Sequence, residues 1–382
     1  MHAFLVVGTA RALVVQATLA LRAHVDAECG VIVAKGTKVM RFSSLWSRYI
    51  EMDFNGEDDE KFVALVNRMA AHCPGLLIVP ADCDGTRLTN RVRERLTAGL
   101  VPTPNTATLN RFDDKWSFYQ FCVEAGLNAP LSWLIDSKEG LDFQRVAASL
   151  GSPFVVKPLH EQGSKGVRVI RSEAACVRLV RDETYQHAPL IVQRFIRGSD
   201  LGLNLLAIDG TIRAAAVQRR LQPQDEVAPI QFIHNDYLLD CAHQIARASA
   251  YTGIMNIDAR MDEATGTIYL LESNPRVWRS MAASVWCGLN FMAELIEPDK
   301  SAGSMRTITD GYADTFHHPF FRPRLFYHAF SDSSDRGRLA RLMLRDPCTL
   351  GSSAMAQWRK HFARPPDMLE REANGQETPT AH

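Results

Sequence analysis

Two carboxylates and a carboxamide recur at strand spacing between residues 256 and 274, where the chain reads NIDARMDEATGTIYLLESN. The middle of this stretch is rich in turn residues and joins two strand-like runs. If these runs form a hairpin in which Asp262 lies opposite Ile268, then Asp258 lies opposite Glu272. Side chains alternate along a strand, so one face would carry five polar residues: Asn256, Asp258, Arg260, Glu272 and Asn274. The other face would be apolar: Ile257, Ala259, Met261, Tyr269 and Leu271.

Opposed carboxylates need a compensating charge, because like charges directly opposite each other destabilise a sheet. Arg260 is one candidate for that charge and a divalent cation is the other. Two carboxylates and an amide oxygen suit Mg²⁺, which commonly shares such a site with a substrate phosphate. A solvated strand face with an Arg–carboxylate pair is the alternative, and this segment alone does not decide between the two.

The end of the second strand places a guanidinium beside the same site. Pro275 stops the strand, because it cannot donate to a hydrogen-bonded ladder. Arg276 follows, and its planar fork of donors matches groups of oxygen atoms such as those of a phosphate. The segment therefore predicts a metal and phosphate site at the end of this strand.

A lysine and a glycine-bearing loop form a second candidate site, in FVVKPLHEQGSKGVRVI from Phe154 to Ile170. Lys157 ends an apolar strand and could supply a point charge to a phosphate. Glycines in the loop from His160 to Gly166 would let backbone N–H groups approach phosphate oxygens. The loop is not a Walker A motif, because no helix opens on a GK[ST] sequence. A flexible hairpin tip is the alternative.

A third candidate lies in LIVQRFIRGSD, from Leu190 to Asp200. Gln193 interrupts an apolar run, and a carboxamide in such a position can read the edge of an adenine. Asp200 lies beyond the turn at Gly198 and could hold a ribose hydroxyl. An ordinary strand and turn is the alternative. Lys115, in RFDDK, opens a predicted helix and alone indicates only an exposed side chain.

Composition excludes several classes of protein. The chain has 382 residues, too many for one hydrophobic core, so two or three domains are expected. Lys+Arg and Asp+Glu both number 43, which argues against general nucleic-acid binding. No apolar run approaches the ~20 residues of a membrane-spanning helix, and the start, MHAFLVVGTAR, does not resemble a signal peptide. The GTAR stretch also lacks the GxGxxG pattern of a dinucleotide-dependent oxidoreductase.

The cysteines point to a reducing compartment. The chain has eight of them, scattered and without a CxxC pair, which argues against a disulfide framework or a zinc site. We expect small buried thiols in a cytoplasmic protein.

Strands and helices alternate over the first third of the chain. Apolar runs predict strands at 4–7, 31–33 and 76–79, and helical patterns cover 11–24, 61–71 and about 86–97. This alternation is typical of a parallel sheet with helices on its faces. We predict an α/β domain at about residues 1–105, followed by a linker in VPTPNT.

The pattern then changes to mainly antiparallel strands with a few helices, an α+β arrangement that we place at residues 106–300. A helix is predicted at 114–124 and another at 236–251, with short strands between and after them. Residues 301–382 are predicted to form a C-terminal extension. In it, the aromatic and basic run 316–330 would be a packing segment or a binding patch, 335–344 and 354–362 would be helical, and the polar tail from about 365 would be disordered.

The order of these features resembles the ATP-grasp superfamily over about residues 1–290. Asp114-Lys115, VVKP with a GSKGV loop, QRFIRG, an aspartate strand and LLESNPR follow one another in that order. NPRVWRS is similar to the carbamoyl-phosphate synthetase large-subunit branch and to stand-alone carboxylate–amine ligases. The resemblance implies an ATP-grasp fold, with a small subdomain at about 120–195 and a large one at 196–300, after an N-terminal parallel-sheet (pre-ATP-grasp) domain.

The resemblance also assigns residues. Lys115 and Lys157 would reach the nucleotide phosphates, and Arg276 would face the γ-phosphate and the acid substrate, with Lys157 and Arg276 in catalytic roles. The metal ligands would be Asp258, Glu272 and Asn274. The loop over the phosphates would comprise His160, Gly163, Ser164, Lys165, Gly166 and Val167. Adenine and ribose would be held by Gln193, the backbone of Phe195 and Ile196, and Asp200. Gln193 departs from the family, which usually has an acid there, so nucleotide preference is open.

The implied activity is ATP-dependent ligation. A small-molecule carboxylate would be activated as an acyl phosphate, with release of ADP, and an amine would then displace phosphate to form an amide. ATP and Mg²⁺ would be required, with Mn²⁺ as an alternative ion. Nucleic acid and membrane are not expected as partners, and a homodimer is left open. An ATP-grasp small-molecule kinase and a non-catalytic nucleotide-binding regulator are the alternatives.

Overall fold

The computed structural model describes residues 3–161, 165–221, 229–297, 304–314, 323–351 and 355. Within this part, three sheets follow one another along the chain. All eight cysteines are free thiols; five are buried, as expected, whereas Cys73, Cys287 and Cys348 are only partly buried. No described helix is both long and apolar enough to cross a bilayer.

The first sheet is parallel and has the strand order β3-β2-β1-β4-β5. Its strands are β1 (Ala3–Gly8), β2 (Glu28–Ala34), β3 (Arg48–Met52), β4 (Leu76–Pro80) and β5 (Gly99–Leu100), and its helices are α1 (Arg11–His24), α2 (Asp59–His72) and α3 (Cys83–Val92). The predicted parallel sheet and its three helices are confirmed. Two strands were missed, β3 and β5, and α3 starts and ends earlier than expected.

The second sheet has four strands in the order β6-β9-β7-β8, all in antiparallel pairs. Before it come helices α4 (Thr106–Asp113) and α5 (Lys115–Glu124). Its own elements are β6 (Ser132–Ile135), α6 (Phe143–Leu150), β7 (Phe154–Pro158), β8 (Arg168–Ile170), α7 (Glu173–Arg181) and β9 (Leu190–Arg194). A cluster that includes Val146, Phe154 and Val192 packs the two helices α6 and α7 on this sheet.

The third sheet runs β14-β13-β10-β11-β12-β16, and β15 pairs with β11. Its elements are β10 (Gly198–Ile208), β11 (Thr211–Arg220), β12 (Ile230–Ile233), α8 (Asp236–Ser249), β13 (Gly253–Asp262), β14 (Ile268–Asn274), β15 (Arg306–Ile308) and β16 (Asp310–Ala313). The mixture of a parallel sheet with antiparallel sheets confirms the predicted α/β and α+β class.

The two faces of the third sheet have different roles. One face is apolar and packs on α8, α4 and α5 through a cluster that includes Leu203, Leu205, Ile257 and Leu270. The other face carries Asn204, Asn256 and Asp258 beside the apolar cluster of the first sheet. Polar side chains on a partly buried sheet face are typical of a functional site, so we expect the candidate site on this face.

The chain after residue 297 joins both larger sheets. Helices α9 (Met281–Trp286) and α10 (Phe291–Ile296) precede it, and α11 (Pro323–Ser331) and α12 (Asp335–Arg345) follow β15 and β16. Leu339 and Met343 of α12 lie in one buried cluster with Val14 of α1. The predicted helix at 335–344 is thus confirmed, and it packs on α1. Most of the predicted helix at 354–362 and the tail from 365 lie outside the described residues, as does 316–322 of the aromatic run.

Candidate active site

The predicted carboxylate pair is present, although the hairpin closes differently. Asp258 lies opposite Glu272, and Asn256 lies opposite Asn274. The turn was predicted wrongly, because Met261 and not Asp262 pairs with Ile268. The register shifts between Asp258 and Ala259, where β14 holds one extra residue, and this β-bulge restores the predicted pairing at the carboxylates.

The bulge also changes which apolar residues of β14 face the core. Ile268 and Leu270 are buried with Ile257 and Ala259, whereas Tyr269 and Leu271 were predicted there. The extra residue in β14 is Leu271, and its carbonyl accepts a hydrogen bond from Lys157 Nζ at 3.3 Å. The bulge therefore turns a backbone acceptor toward the lysine.

The two carboxylates share one proton. Burial raises the pKa of Asp258 to about 7, and the charge of Glu272 and a hydrogen bond with it add to the increase. Burial also acts to raise the pKa of Glu272, but the charges of Lys157 and Lys115 outweigh it and hold that pKa below its ordinary value. Below about pH 7, Glu272 is thus the ionised member and Asp258 holds the proton.

Two lysines from the second sheet region reach this pair. Lys115 Nζ lies 3.5 Å from Glu272 Oε2, and it donates to the carbonyls of Leu159 at 3.2 Å and Glu161 at 2.8 Å. Lys115 is only 9% exposed, so it is not the exposed side chain that its place at a helix start indicates. Burial lowers the pKa of Lys157, and the charge of Glu272 opposes that effect.

A chain of amides connects Arg276 to the floor of the site. Arg276 donates to Asn274 Oδ1 at 2.8 Å, and Asn274 donates to Asn256 Oδ1 at 3.4 Å. Asn256 in turn donates to Asn204 Oδ1 at 3.0 Å. Arg276 Nε and Asn204 Nδ2, at the two ends, are buried without a hydrogen-bond partner. Buried unpaired donors are unusual, so the Arg276 end of the chain is suited to meet an acceptor atom of a bound molecule, whereas Asn204 is fully buried.

Arg260 does not compensate the carboxylate pair. It lies opposite Asp200 on β10, and its guanidinium binds Asp200 Oδ1 at 2.5 Å. Lys157 and Lys115 are instead the cations that lower the pKa of Glu272 and so keep it ionised. Of the two compensating charges considered for the hairpin, the arginine is therefore wrong.

The donor set fits a divalent cation. In the described ranges, no group of three or more His, Cys, Asp or Glu side chains could hold a metal ion, so a cation here would have only two carboxylates and an amide as protein ligands. Two carboxylates and the Asn274 amide give hard oxygen ligands, which suit Mg²⁺ when substrate phosphate and water complete its shell. Asn274 would have to turn Oδ1 from Arg276 toward the ion, since Nδ2 now faces Asp258 Oδ2 at 3.4 Å.

Three comparisons place this arrangement among known proteins. A family model described as "ATP-grasp in the biosynthetic pathway with Ter operon" matches residues 186–308. The carbamoyl phosphate synthase arginine-specific large chain of Bacillus subtilis (strain 168) is 28% identical over 185 residues, which cover 46% of this chain and 18% of that protein. The chain therefore spans less than a fifth of the length of this relative.

Solved structures match over most of the chain. The L-amino acid ligase from Bacillus licheniformis superposes with a TM-score of 0.59 at 16% identity, covering 78% of this chain and 73% of that one. N5-carboxyaminoimidazole synthetase from Staphylococcus aureus in complex with ADP gives 0.61 at 14% identity, covering 81% and 80%.

This chain has the ATP-grasp fold. The resemblance seen in the motifs is confirmed, and the second and third sheets are the two layers between which the lysines and carboxylates meet. The residues that join the layers, Phe195 to Arg197, lie between β9 and β10. The lysines and the carboxylates come from different layers, so no single segment of the sequence contains the complete site.

The predicted nucleotide residues are placed as follows in the ATP-grasp fold. Gln193 is buried on β9 opposite Ser132 and donates to Ser132 Oγ at 2.9 Å. His160 lies 3.5 Å from Asp114, the residue before Lys115. Lys165 and Gly166 form a turn, and the Gly166 carbonyl accepts from the Tyr185 hydroxyl at 2.7 Å. Val167 links this turn to β8. Gly163 and Ser164 lie outside the described residues.

Sequence reasoning missed two parts of the site. Asn204 was not singled out, because one polar residue in the apolar strand LGLNLLAI gives no motif. Asn256 was placed on the polar face without a role. Both could have been found from their alignment with Asn274 across three neighbouring strands. That alignment can be recognised only when the order of the strands in the sheet is known.

Proposed function

We propose that this protein is an ATP-dependent carboxylate–amine ligase that forms a carbon–nitrogen bond through an acyl phosphate. The observation that carries the proposal is the meeting of Lys115 and Lys157 with Asp258 and Glu272. Binding of a metal–nucleotide complex could replace the contacts between these lysines and carboxylates. The carboxylates could then bind the cation, and the lysines could bind phosphate oxygens. An ordinary structural ion pair would not need two buried lysines and a second carboxylate that holds a proton.

The proposed metal ligands are Asp258, Glu272 and Asn274, with Mg²⁺ as the ion and Mn²⁺ as an alternative. The ion would supply charge neutralisation for the phosphates of ATP. Lys115 and Lys157 would hold phosphate oxygens. Arg276 would bind the γ-phosphate and the carboxylate substrate, because its Nε has no hydrogen-bond partner among the described residues.

The nucleotide would lie between the second and third sheets. Gln193, through the oxygen of its amide, and the backbone of Phe195 and Ile196 would hold the base, and Asp200 the ribose. The loop would cover the phosphates with His160, Gly163, Ser164, Lys165, Gly166 and Val167. Lys115 bonds to the carbonyls of Leu159 and Glu161, which flank the first of these residues, so the position of the loop is linked to that of a phosphate-binding lysine.

In the proposed reaction, a substrate carboxylate attacks the γ-phosphorus of ATP and ADP leaves. An amine then attacks the acyl carbon, and phosphate leaves with one oxygen of the former carboxylate. The protein's own groups position the reactants and neutralise charge that develops on the transferred phosphoryl group. Closure of the loop would exclude water, which would otherwise hydrolyse the acyl phosphate.

The names of similar proteins support this class of reaction and do not name the substrates. They include a carbamoyl phosphate synthase large chain, an L-amino acid ligase and an N5-carboxyaminoimidazole synthetase with ADP. We therefore propose small-molecule acid and amine substrates. The domain limits at about residues 105 and 300, and a homodimer, are likewise proposals.

Trapping with hydroxylamine tests the proposal. The purified protein would be mixed with Mg²⁺, ATP, hydroxylamine and pools of metabolite carboxylates, and ADP, AMP and hydroxamate would be measured together. We expect ADP and hydroxamate in equal amounts from one pool, and neither product from a folded Glu272→Gln variant. AMP with hydroxamate would show an acyl adenylate and contradict the mechanism. A stable phosphoester would indicate a kinase, and ATP binding without any product would indicate a regulator.

A further inference from the structure

One arginine fixes the connection between the two ATP-grasp layers. Arg260 Nε donates to the carbonyl of Ile196 at 2.7 Å, and a terminal nitrogen donates to the carbonyl of Gly198 at 2.9 Å. The other terminal nitrogen binds Asp200 Oδ1 at 2.5 Å. Its carbon also lies 5.8 Å from the centre of the Phe195 ring. All three guanidinium nitrogens of Arg260 therefore bind the segment 196–200.

This segment is where the proposed nucleotide site joins the two sheets. Phe195, Ile196 and Arg197 connect β9 to β10, and Gly198 and Asp200 begin β10. Arg260 projects from β13 two residues after Asp258, so it links the connection to the strand that holds the carboxylate pair. The contact differs from an isolated surface ion pair, because two of its three hydrogen bonds go to backbone carbonyls.

Arg260 binds two groups that we assign to the nucleotide site, the backbone of Ile196 and the carboxylate of Asp200. The Ile196 carbonyl accepts a hydrogen bond from Arg260 Nε, which holds this peptide group in place. Asp200 has two carboxylate oxygens, and Arg260 occupies Oδ1. A carboxylate held through one oxygen can accept from a hydroxyl through the other.

We propose that Arg260 is a positioning residue that makes the nucleotide site selective for an intact ribose. It fixes Asp200 so that Oδ2 is presented to the ribose hydroxyl groups, and it fixes the Ile196 peptide beside the base. The inference rests on the proposed nucleotide site but adds a residue and a selectivity to it. Lysine could not substitute, because one ammonium lacks the planar fork that reaches three acceptors.

The test compares binding of ADP with binding of 2′,3′-dideoxy-ADP by calorimetry in the presence of Mg²⁺. The wild-type protein should prefer ADP by about tenfold, as expected for a hydrogen bond to a charged group. Arg260→Leu should weaken ADP binding by about tenfold and reduce the preference to less than about twofold. Arg260→Lys should resemble Arg260→Leu. Asp200→Asn should also lose the preference, and adding Arg260→Leu to it should reduce it no further.

Arg197→Leu is the matched control, because Arg197 belongs to the same connection but its side chain pairs with Glu263 at 3.7 Å and is 74% exposed. It should keep both the affinity and the preference. An unchanged or larger preference in Arg260→Leu and Arg260→Lys, with wild-type binding normal, would overturn this inference and leave the proposed function intact. Equal wild-type binding of the two nucleotides would also overturn it. A wild-type protein that binds neither would overturn the proposed function together with the inference.

Discussion

At the scale of single residues, the site is a balanced group of charges. Glu272 is ionised and lies 3.5 Å from Lys115, while Asp258 has a pKa of about 7 and shares a hydrogen bond with Glu272. In this state the lysines and one proton compensate the carboxylates. In the proposed function, binding of a cation with its nucleotide would release that proton and free the lysines for phosphate.

The proton on Asp258 makes metal binding depend on pH. Because Asp258 keeps its proton up to about pH 7, Mg²⁺ must displace a proton below that pH, and its apparent affinity should fall by about tenfold per unit as the pH decreases. Above pH 7 the affinity should level off. Titration of Mg²⁺ with ADP present at several pH values measures this, and Asp258→Asn should remove most of the dependence. A wild-type affinity that is constant from pH 5.5 to 7 would contradict the assignment of the shared proton.

Arg276 should act mainly in the transition state. It donates to Asn274 and has a buried Nε without a partner, so we expect Arg276→Ala to lower kcat by about 100-fold or more. The affinity for ADP should change by less than about threefold. Steady-state rates and calorimetry separate the two effects, with Arg279→Ala, at an exposed neighbouring arginine, as control. Equal losses in turnover and ADP affinity would count against a role in phosphoryl transfer.

At the scale of elements, the hairpin of β13 and β14 shows what a sequence can predict. Alternation of polar and apolar residues was sufficient to bring Asp258 opposite Glu272. The turn was misplaced by one residue, and a bulge that adds one residue at Leu271 cancelled the error at the carboxylates. The bulged residue contacts another element, since the Leu271 carbonyl accepts a hydrogen bond from the Lys157 ammonium. Pattern within one strand does not contain that information.

The connection between the layers depends on one glycine. Gly198 has φ of +150°, and a Cβ there would lie 1.8 Å from the Met261 carbonyl oxygen. Gly198→Ala should therefore destabilise the protein by about 2 kcal/mol or more and weaken nucleotide binding. Gly266→Ala is the matched control, because Gly266 also has positive φ, +69°, but a Cβ would meet nothing within 4 Å. Its cost should be about 1 kcal/mol. Thermal or denaturant unfolding measures both losses of stability. Equal losses in the two variants would show that the close approach at Gly198 does not constrain the connection.

At the scale of the whole molecule, long apolar runs were read correctly and non-local packing was not. β1, β2 and β4 are continuous buried runs, and their order with helices predicted the parallel sheet. β3 has the sequence RYIEM and β5 has two residues, so neither carries a distinct pattern. The C-terminal segment could not be placed, because β15, β16 and α12 gain their positions from partners up to about 300 residues away in the chain.

One buried carboxylate fastens this C-terminal segment to the first domain. Asp346 is 1% exposed. It accepts hydrogen bonds from the Ser43 hydroxyl at 2.6 Å, the Ser44 N–H at 2.8 Å and the Thr349 N–H at 2.7 Å.

Asp346→Ala should lower the free energy of unfolding by about 3 kcal/mol, because it leaves buried donors without an acceptor. Glu60→Ala, at a carboxylate that is 84% exposed and pairs with Arg95 on the surface, should change it by less than about 0.5 kcal/mol. Denaturant unfolding of the two variants makes the comparison. If Asp346→Ala unfolds like the wild type, the segment is held by its apolar contacts alone.

The most direct test of the central claim follows one oxygen atom. Once hydroxylamine trapping has identified the acid, its carboxylate would be labelled with ¹⁸O, and the phosphate released with its amine partner would be analysed by mass spectrometry. Attack of the carboxylate on the γ-phosphorus, followed by attack of the amine on the acyl carbon, predicts one ¹⁸O in each phosphate formed. Unlabelled phosphate, or label recovered in AMP, would contradict an acyl phosphate and with it the proposed function of this ATP-grasp site.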